Sequence, residues 1–323
     1  MTDDSVTRRR CYTEGAGTAA NGEQLSDDAG DMVDTGPEAA GHDRFLIDGP
    51  AAQRFWDKSA LGVPQSGNRL LLSAAEVLFC NRQRNLALPE GWESVRLEQE
   101  GISGLLHEAA ALEAVRTPGE LVVLTQNLAK LNLPEAASES SWALRWPRIG
   151  RVTDGPPDGE LRWVKASEAI DWRELHEWAR ATTAADRIAE VLIVDDDLDV
   201  TTYRLSSCNP TGEVNHTESD AGDENPFSVL LGDVIARGLL PRSGFKYGTR
   251  WRLYDRPLGE AHAPYLLQHE DEAPSDWAQI CLSARMATGV NKTWLCGFEQ
   301  GGNWRYLAVT RPPPDARWSG VRR

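Results

Sequence analysis

An internal repeat with a spacing of 105 residues restricts the fold of this chain more than any other feature. Four matches keep this spacing: Asp171-Trp172 with Asp276-Trp277, Ala179-Arg180 with Ala284-Arg285, Trp146 with Trp251, and Arg187 with Lys292. Because the four matches are in register and two of them are dipeptides, chance is a poor explanation. We therefore expect two units of one fold within the chain.

Each unit is expected to contain a helix followed by two strands. Asp171 and Asp276 are suited to cap the helix N-termini, and Glu174 and Gln279 stand three residues later, where a side chain can reach back. Gly289 is suited to the position that ends the second helix. Apolar runs then predict paired strands at 188–194 with 200–205 and at 293–298 with 304–310.

Composition divides the rest of the chain. The first 44 residues are rich in Asp, Gly, Ala and Thr without apolar periodicity, which predicts disorder. Ser73 and Glu76 have capping-box spacing where a short strand leads into a helix. The predicted class is α/β (α+β), with an acidic tail at 1–44, an N-terminal α/β domain at 45–117, a first unit at 118–210, a linker at 211–225 and a second unit at 226–323.

Charge is distributed unevenly along the chain. The formal net charge is −15, which favours a surface adapted to concentrated salt, with ordinary acidic solubility as the alternative. Residues 226–323 instead contain 13 Lys and Arg against 9 Asp and Glu, a local balance of +4. The C-terminal unit therefore has the sign of charge that a phosphate-binding surface needs.

The cysteines and the hydropathy pattern indicate the compartment. The five cysteines show no C-x-x-C pair and no metal-ligand spacing, so they are expected to be scattered thiols in a reducing cytoplasm. No apolar run approaches 18 residues, and Arg8-Arg9-Arg10 is not followed by a hydrophobic segment. The sequence thus predicts a cytoplasmic protein with neither a signal peptide nor a membrane partner.

Three side chains of the C-terminal unit suit one chemistry. Tyr254 ends a run that begins with Gly244-Phe245-Lys246-Tyr247-Gly248, His262 follows eight residues later, and Lys292 follows the second repeat helix. Together a phenol, an imidazole and an ammonium group can cleave an RNA phosphodiester through its own 2′-hydroxyl. One takes the hydroxyl proton, one protonates the leaving 5′-oxygen, and the cation offsets charge on the phosphate. This scheme needs no metal and no cofactor.

Two further expectations concern the basicity of the Tyr254 phenol and the location of the remaining histidines. A phenol is a poor base at neutral pH, so Tyr254 requires a nearby Arg or Lys or acts mainly by hydrogen bonding. A lone histidine is most often a surface residue, and this is the expectation for the remaining five: His42, His107, His176, His216 and His269.

The C-terminal run resembles the catalytic domain of the archaeal and eukaryotic tRNA-splicing endonucleases. Those proteins share the Gly-aromatic-Lys-aromatic-Gly stretch, the tyrosine, the histidine eight residues later and a lysine after a helix. The resemblance is good from about 226 to 313, weaker from 45 to 210 and absent before that. It implies excision of introns from precursor tRNA at bulge-helix-bulge junctions, leaving a 2′,3′-cyclic phosphate and a 5′-hydroxyl. Tyr254 is then the base, His262 the general acid and Lys292 the stabilising cation.

The first unit lacks such groups, since the positions 105 residues earlier are Ile149, Pro157 and Arg187. The chain thus resembles the two-fold symmetric form of the family, in which each chain has one degenerate and one active unit. This implies a homodimer. It also implies that the acidic turn at Asp195, Asp196 and Asp197 docks into a polar groove of the partner, with a solvated turn as the alternative.

The resemblance also implies two residues that hold a flipped-out bulge base between them. Arg285 occupies one of these positions, in the last turn of the second repeat helix. Arg311, at the end of the last strand, is the expected second residue, with Arg305 and Trp304 as alternatives. A planar guanidinium group stacks well on an unpaired base.

Two rival functions come from other classes. The first is a non-catalytic structural subunit of a multi-subunit splicing endonuclease, against which the complete set of three residues argues. The second is a metal-dependent nuclease of related fold, which resistance of cleavage to a chelator would exclude. The acidic residues near Lys292 do not form the two-carboxylate-plus-lysine set that such a nuclease needs.

Overall fold

Two β-sheets and eight α-helices form the part of the chain that the computed structural model describes, residues 38–39, 44–133, 135–215 and 226–312. These residues belong to one compact unit. The strands are β1 (Glu38–Ala39), β2 (Arg44–Ile47), β3 (Val63–Gln65), β4 (Arg69–Ser73), β5 (Leu121–Leu124), β6 (Ala143–Trp146), β7 (Gly159–Lys165), β8 (Ile188–Val194), β9 (Val200–Cys208), β10 (Leu240–Ser243), β11 (Trp251–Tyr254), β12 (Tyr265–His269), β13 (Thr293–Gln300) and β14 (Asn303–Thr310). The helices are α1 (Gly49–Ser59), α2 (Ala74–Arg84), α3 (Trp92–Ser103), α4 (Leu105–Arg116), α5 (Thr125–Leu131), α6 (Trp172–Ala184), α7 (Pro226–Ala236) and α8 (Trp277–Gly289).

The N-terminal part is a four-stranded sheet, in the order β1-β2-β4-β3, with helices packed on it. The predicted capping box is present at the start of α2, where Ser73 and Glu76 bond reciprocally. Glu76 is fully buried, and its carboxylate also accepts the backbone N–H of Gly62 at 2.8 Å. One side chain therefore links the start of α2 to the segment that leads into β3. The fold class is α/β, as predicted.

The larger sheet has ten strands in the order β10-β11-β12-β13-β14-β9-β8-β7-β6-β5. Its two halves have the same pairing. In each half the first three strands are antiparallel, the third pairs in parallel with the fourth, and the fourth pairs with an antiparallel fifth. The fifth strands, β9 and β14, pair with each other and join the halves. The sheet is therefore symmetric about that junction.

Helices cover both faces of this sheet. On one face, α4 packs on the first half and α7 on the second, where Leu230 and Val234 contact Leu253 and Leu267. On the other face, α6 and α8 lie over a single apolar core that draws residues from both halves. The alternation of side chains along each strand supplies these two apolar faces.

The core under α6 and α8 belongs to both halves at once. The indole rings of Trp172, in α6, and Trp294, in β13, lie 5.4 Å apart. The hydroxyl of Tyr203, in β9, donates to the backbone oxygen of Cys281, in α8, at 2.9 Å. Each helix thus packs partly on the other half, so the two halves stabilise one another.

The helix caps follow the sequence, with one difference. Asp171 accepts from the backbone of Glu174, and Asp276 accepts from Gln279, as predicted. The second helix ends at Gly289, but the left-handed residue is Asn291, with φ of 54°. The backbone N–H of Lys292 then donates to Ala287 O at 2.9 Å and that of Asn291 to Thr288 O at 3.1 Å, which is a Schellman motif. Asn tolerates this conformation, so the glycine was not required there.

The predicted tail and linker lie mainly outside the described residues. Within the tail, Glu38 and Ala39 pair with β2 as β1. Within the linker, the backbones of Gly212, Glu213 and Val214 bond to Arg237, Asp255 and Gly238 of the second half, respectively. Across the described ranges, no helix is long and apolar enough to cross a membrane.

Candidate active site

A tight loop carries the chain into β11. Its backbone closes on itself, because Gly244 N donates to Arg250 O at 3.0 Å and Tyr247 N to Gly244 O at 2.7 Å. A Cβ on Gly244 would lie 2.4 Å from the Thr249 hydroxyl oxygen, and Gly248 has φ of 64°. Both glycines are therefore required by the path of the chain. The loop presents two aromatic residues and ends in the strand that Tyr254 completes.

His262 follows a turn between β11 and β12. Glu260 N donates to Pro257 O at 3.2 Å, and Gly259 has φ of 96°. This turn brings the chain back to the sheet just before β12. His262 is exposed, and the next residue, Ala263, is buried. The imidazole therefore lies where solvent or a ligand can reach it.

Lys292 is directed by the Schellman motif at the end of α8. Its half-buried side chain reaches across the start of β12, where Nζ donates to the backbone oxygen of Ala263. The same Nζ lies 5.7 Å from the centre of the Tyr247 ring. The ammonium group is thus held beside the residue that follows His262.

The strand registers place the three predicted residues at one end of the sheet. Leu253 pairs with Tyr265, and Tyr265 pairs with Thr293, so Tyr254, Pro264 and Lys292 form a row across β11, β12 and the start of β13. Adjacent strands are about 4.8 Å apart, which separates the backbones of Tyr254 and Lys292 by roughly 10 Å. Side-chain alternation turns both residues to the α8 face, because Leu253 faces α7 and Trp294 faces α8.

A cation lies beside the phenol ring of Tyr254. The Arg252 guanidinium is 5.5 Å from the centre of the Tyr254 ring. Its Nε is buried and has no hydrogen-bond partner within the described ranges. Arg252 is two residues from Tyr254 on one strand, so both side chains lie on the same face. Nothing in the sequence spacing had singled out this arginine.

Arg285 and Arg311 lie near the same buried groups. Burial raises the pKa of the Tyr203 hydroxyl to about 12, and the charges of both arginines act in the opposite direction. Burial also raises the pKa of the Cys281 thiol, and the charges of both arginines again act to lower it. By continuation of the β13–β14 register, Arg311 stands opposite Lys292. Both arginines are exposed, so a flat polar ligand could reach them.

Arg305 and Trp304, the alternatives to Arg311 as the second residue that holds the base, lie far from Lys292. Trp304 and Arg305 pair with Glu299 and Phe298 at the far end of β13 and β14. Six residues of strand separate Phe298 from Lys292, which is roughly 20 Å. Trp304 instead contacts the buried His269, with ring centres 5.6 Å apart.

In the first half, the position that corresponds to Lys292 is Arg187, which belongs to an ion-pair network. Arg187 follows a left-handed residue, Asp186, as Lys292 follows Asn291. Its side chain is 6% exposed and pairs with Glu160 at 2.9 Å and with Glu135 at 2.6 Å. Glu135 belongs to the long connection between β5 and β6, residues 125–142, whose counterpart in the second half is only the loop 244–250. The longer connection closes this position to solvent.

The registers correct the spacing of the repeat near β6. Leu121 pairs with Trp146 as Leu240 pairs with Tyr254, so Trp146 is the counterpart of Tyr254. The match of Trp146 with Trp251, and hence of Ile149 with Tyr254, was wrong. The backbone hydrogen bonds that join β7 to β8 and β12 to β13 also align the starts of β7 and β12. This alignment makes Pro156, in place of Pro157, the counterpart of His262. The spacing of 105 holds from the helices onward, because the connections before them differ in length.

The acidic turn is ordered by one of its own carboxylates. Asp195 Oδ1 accepts the backbone N–H groups of Asp197 at 3.0 Å and Asp199 at 2.9 Å. Leu198 has φ of 62° and packs against the N-terminal core. Asp196 and Asp197 are exposed. Asp195 is therefore a structural residue of the turn, and the exposed carboxylates belong to its neighbours.

Two histidines expected at the surface are buried, so that expectation was wrong. His176 is 2% exposed, and its Nε2 lies 3.0 Å from the Ser207 hydroxyl. Burial lowers its pKa. His269 is 4% exposed, and its Nδ1 accepts the backbone N–H of Asp271. Both are packing residues. Among the described residues, no group of three or more His, Cys, Asp or Glu is arranged to hold a metal ion.

Comparisons with known proteins agree with this location. Residues 232–306 match the family model described as tRNA intron endonuclease, catalytic C-terminal domain. Proteins named tRNA-splicing endonuclease are similar over short stretches. That of Picrophilus torridus is 38% identical over 64 residues, covering 20% of this chain and 22% of the relative. That of Thermoplasma volcanium is 33% identical over 79 residues, covering 24% and 26%.

A third relative is smaller. The tRNA-splicing endonuclease of Methanothermobacter thermautotrophicus is 37% identical over 82 residues, covering 24% of this chain and 48% of that protein. The chain thus spans between about a quarter and a half of the length of these curated relatives. The matched range of the family model contains Tyr254, His262, Arg285 and Lys292. Residues 232–306 of this chain are therefore similar to the catalytic C-terminal domain of the tRNA intron endonucleases.

Proposed function

We propose that this chain is a tRNA-splicing endonuclease that excises introns from precursor tRNA at bulge-helix-bulge junctions. The observation that carries the proposal is the row formed by Tyr254, Pro264 and Lys292, with His262 just before it, inside the segment that matches the family model. Side chains capable of proton transfer and charge stabilisation then lie at one end of one sheet. The local charge of +4 suits a polyanionic substrate.

The reaction follows from the three groups. Tyr254 takes the proton of the 2′-hydroxyl, and the guanidinium group of Arg252 lies beside its ring. The 2′-oxygen then attacks phosphorus, and the bond from phosphorus to the 5′-oxygen breaks. His262 protonates that 5′-oxygen, a role that an imidazole side chain performs more often than any other in enzymes. Lys292 offsets the added charge on the phosphate oxygens. The products are a 2′,3′-cyclic phosphate and a 5′-hydroxyl.

Arg285 and Arg311 are proposed to hold an unpaired bulge base between their guanidinium planes. Support comes from their exposure and from their position, since Arg311 continues β14 opposite Lys292 and Arg285 lies in α8, the helix that precedes Lys292. Guanidinium groups stack on bases without reading one sequence. The two arginines would therefore select an RNA for the presence of an unpaired base more than for its sequence.

A homodimer, acting in the cytoplasm, completes the proposal. An intron has two junctions, whereas the first half of the chain offers Trp146, Pro156 and Arg187 in place of the three catalytic groups. Two-fold association would supply two sites at a fixed separation. The exposed carboxylates of the acidic turn, Asp196 and Asp197, are the proposed contact with basic groups of the partner.

The test is incubation of the purified protein with an intron-bearing transcript in EDTA, followed by analysis of the product ends. We expect both junctions to be cut and the products to carry 2′,3′-cyclic phosphate and 5′-hydroxyl ends. Structure probing of the transcript in EDTA is the control, because the RNA must stay folded. Cleavage that stops in EDTA and returns with magnesium alone would overturn the mechanism. Wild-type protein that cuts neither junction would overturn the function.

A further inference from the structure

Phe245 is a large apolar side chain in an unusual place. It is 87% exposed, the highest fraction among the exposed large hydrophobic residues of the described chain. Single exposed apolar residues are common and need no explanation by themselves. The position of Phe245 beside the candidate site is what distinguishes it.

The loop that presents Phe245 is constrained on both sides. Phe245 begins a single 3-10 turn between Gly244 and Gly248. The backbone N–H of Gly248 donates to Phe245 O at 3.2 Å, and the bond from Gly244 to Arg250 closes the loop. The ring is therefore projected into solvent by a short, hydrogen-bonded turn. Little conformational entropy remains to be lost when a flat ligand covers it.

The same turn touches the catalytic lysine. Two residues after Phe245, the Tyr247 ring lies 5.7 Å from Lys292 Nζ. Gly248 lies next to the side chain of Met286 on α8. The exposed residues Leu282, Met286 and Val290 form a stripe along that helix. Phe245 thus borders a surface that continues to Arg285 and Lys292.

This surface has the charge that suits a nucleic acid. Neither the loop 244–250 nor the segment 281–292 contains an Asp or Glu, whereas they contribute Lys246, Arg250, Arg285 and Lys292. Arg250 is paired with Glu272, whereas Lys246, Arg285 and Lys292 form no ion pair with a carboxylate of the described ranges. An exposed aromatic ring among cations is the arrangement that binds single-stranded nucleic acid, since bases stack on the ring and phosphates meet the charges.

We propose that Phe245 is a stacking platform for an unpaired base of the precursor RNA, next to the phosphate that is cut. This inference rests on the proposed function and adds to it a residue outside the three catalytic groups and the two arginines. Phe245 is a positioning residue, because its ring has no group that can transfer a proton. A base held there would orient the adjoining phosphate toward Lys292.

The experiment compares Phe245→Ala, Phe245→Leu and Phe245→Trp in the full chain. Stacking on an aromatic side chain is worth about 5- to 150-fold in binding. We expect KM to rise by that factor in the Ala and Leu variants and kcat to change less. The Trp variant should resemble the wild type, because it restores a ring, whereas Leu restores only apolar surface. Ile149→Ala, at an equally exposed residue of the first half, is the matched control and should change neither constant.

A second measurement separates binding from cleavage. In the His262→Ala background, a transcript with 2-aminopurine at a bulge position reports stacking through its fluorescence. The fluorescence change on binding should persist with Phe245 or Trp at this position and be lost with Ala or Leu. This readout holds even if the chain cuts no intron, so failure of the proposed function is distinguishable from failure of the platform.

Three results would overturn the inference. Unchanged KM and unchanged fluorescence in Phe245→Ala would show that no base stacks there. A loss of binding that Phe245→Trp does not restore would indicate a role in the loop itself. A shift from dimer to monomer in Phe245→Ala by light scattering, at unchanged RNA affinity of the remaining dimer, would make the residue part of a protein interface.

Discussion

Arg187→Ala should destabilise the protein strongly without slowing its chemistry. The Arg187 side chain is 6% exposed and gives hydrogen bonds to Glu160 at 2.9 Å, to Glu135 at 2.6 Å and to the backbone oxygen of Ala136 at 2.7 Å. Glu160 is fully buried, so loss of the arginine leaves its carboxylate without this cation and with hydrogen bonds from the neutral groups of Ser138 and Ser141. Breaking such a buried pair costs about 3–5 kcal/mol. Cleavage by the folded variant should stay within about twofold of wild type, as for distant independent sites.

Lys292→Ala is the matched variant, since Lys292 occupies the corresponding position of the second half. Its side chain is half-buried and makes one hydrogen bond, to Ala263 O, so the urea midpoint should move little. The single-turnover rate should fall by about 100- to 1,000-fold, as when one donor to a developing charge is removed. Urea titration gives the stabilities. Rates are measured where circular dichroism shows both variants to be folded.

Arg187→Ala should therefore lower the stability with little effect on the rate, whereas Lys292→Ala should lower the rate with little effect on the stability. The reasoning is refuted if folded Arg187→Ala loses as much rate as Lys292→Ala, or if its urea midpoint equals that of wild type. A double variant, Arg187→Met with Glu160→Gln, should be more stable than Arg187→Ala, because it removes the unpaired charge. If it is less stable, the charge of Glu160 is not the cause.

Three further predictions concern other residues. His262→Ala should slow cleavage by about 100- to 10,000-fold at nearly unchanged RNA affinity; equal losses in rate and affinity, in gel-shift titrations, would contradict a general acid. Replacing Asp196 and Asp197, together with the neighbouring exposed Asp199, by Asn should weaken dimerisation and cleavage in parallel. Light scattering at working salt decides this, and an unaltered dimer would make the turn a solvated one. Burial raises the pKa of Glu120 from its ordinary value of 4.5 to about 7. The folded state therefore binds more protons between these pH values, and stability should fall as pH rises through that window. In Glu120→Gln, the urea midpoint measured from pH 4 to 8 should depend less on pH. An unchanged slope would show that other groups cause the pH dependence.

Local signals in the sequence predicted the starts of three of the eight described helices, α2, α6 and α8. Asp171 and Asp276 cap α6 and α8 because a capping carboxylate acts within three residues. The left-handed residue after α8 was harder to assign, since Asn291 adopts that conformation without being glycine. The strand pairs after each helix were also predictable, because their apolar runs are continuous.

Features that depend on distant parts of the chain were not predictable. The counterpart of Tyr254 is Trp146, three residues from the position that the constant spacing indicated, because the connections between strands differ in length. The partners of Arg187 lie 27 and 52 residues away in sequence. His176 and His269 are buried by residues of other elements. Spacing in sequence counts residues, whereas neighbours in a sheet follow register.

The filled position around Arg187 has a consequence for the history of the chain. If the proposed function is correct, a duplicated unit lost its three reactive groups, and the position of Arg187 then became part of a buried ion-pair network of the first half. A return to catalysis would need a lysine at Arg187, proton carriers in place of Trp146 and Pro156, and a shorter segment over them. Each of these changes alone would cost stability before any of them restored activity. The asymmetry between the halves is therefore self-reinforcing, and a second working site is more readily gained by pairing with another copy than by mutation.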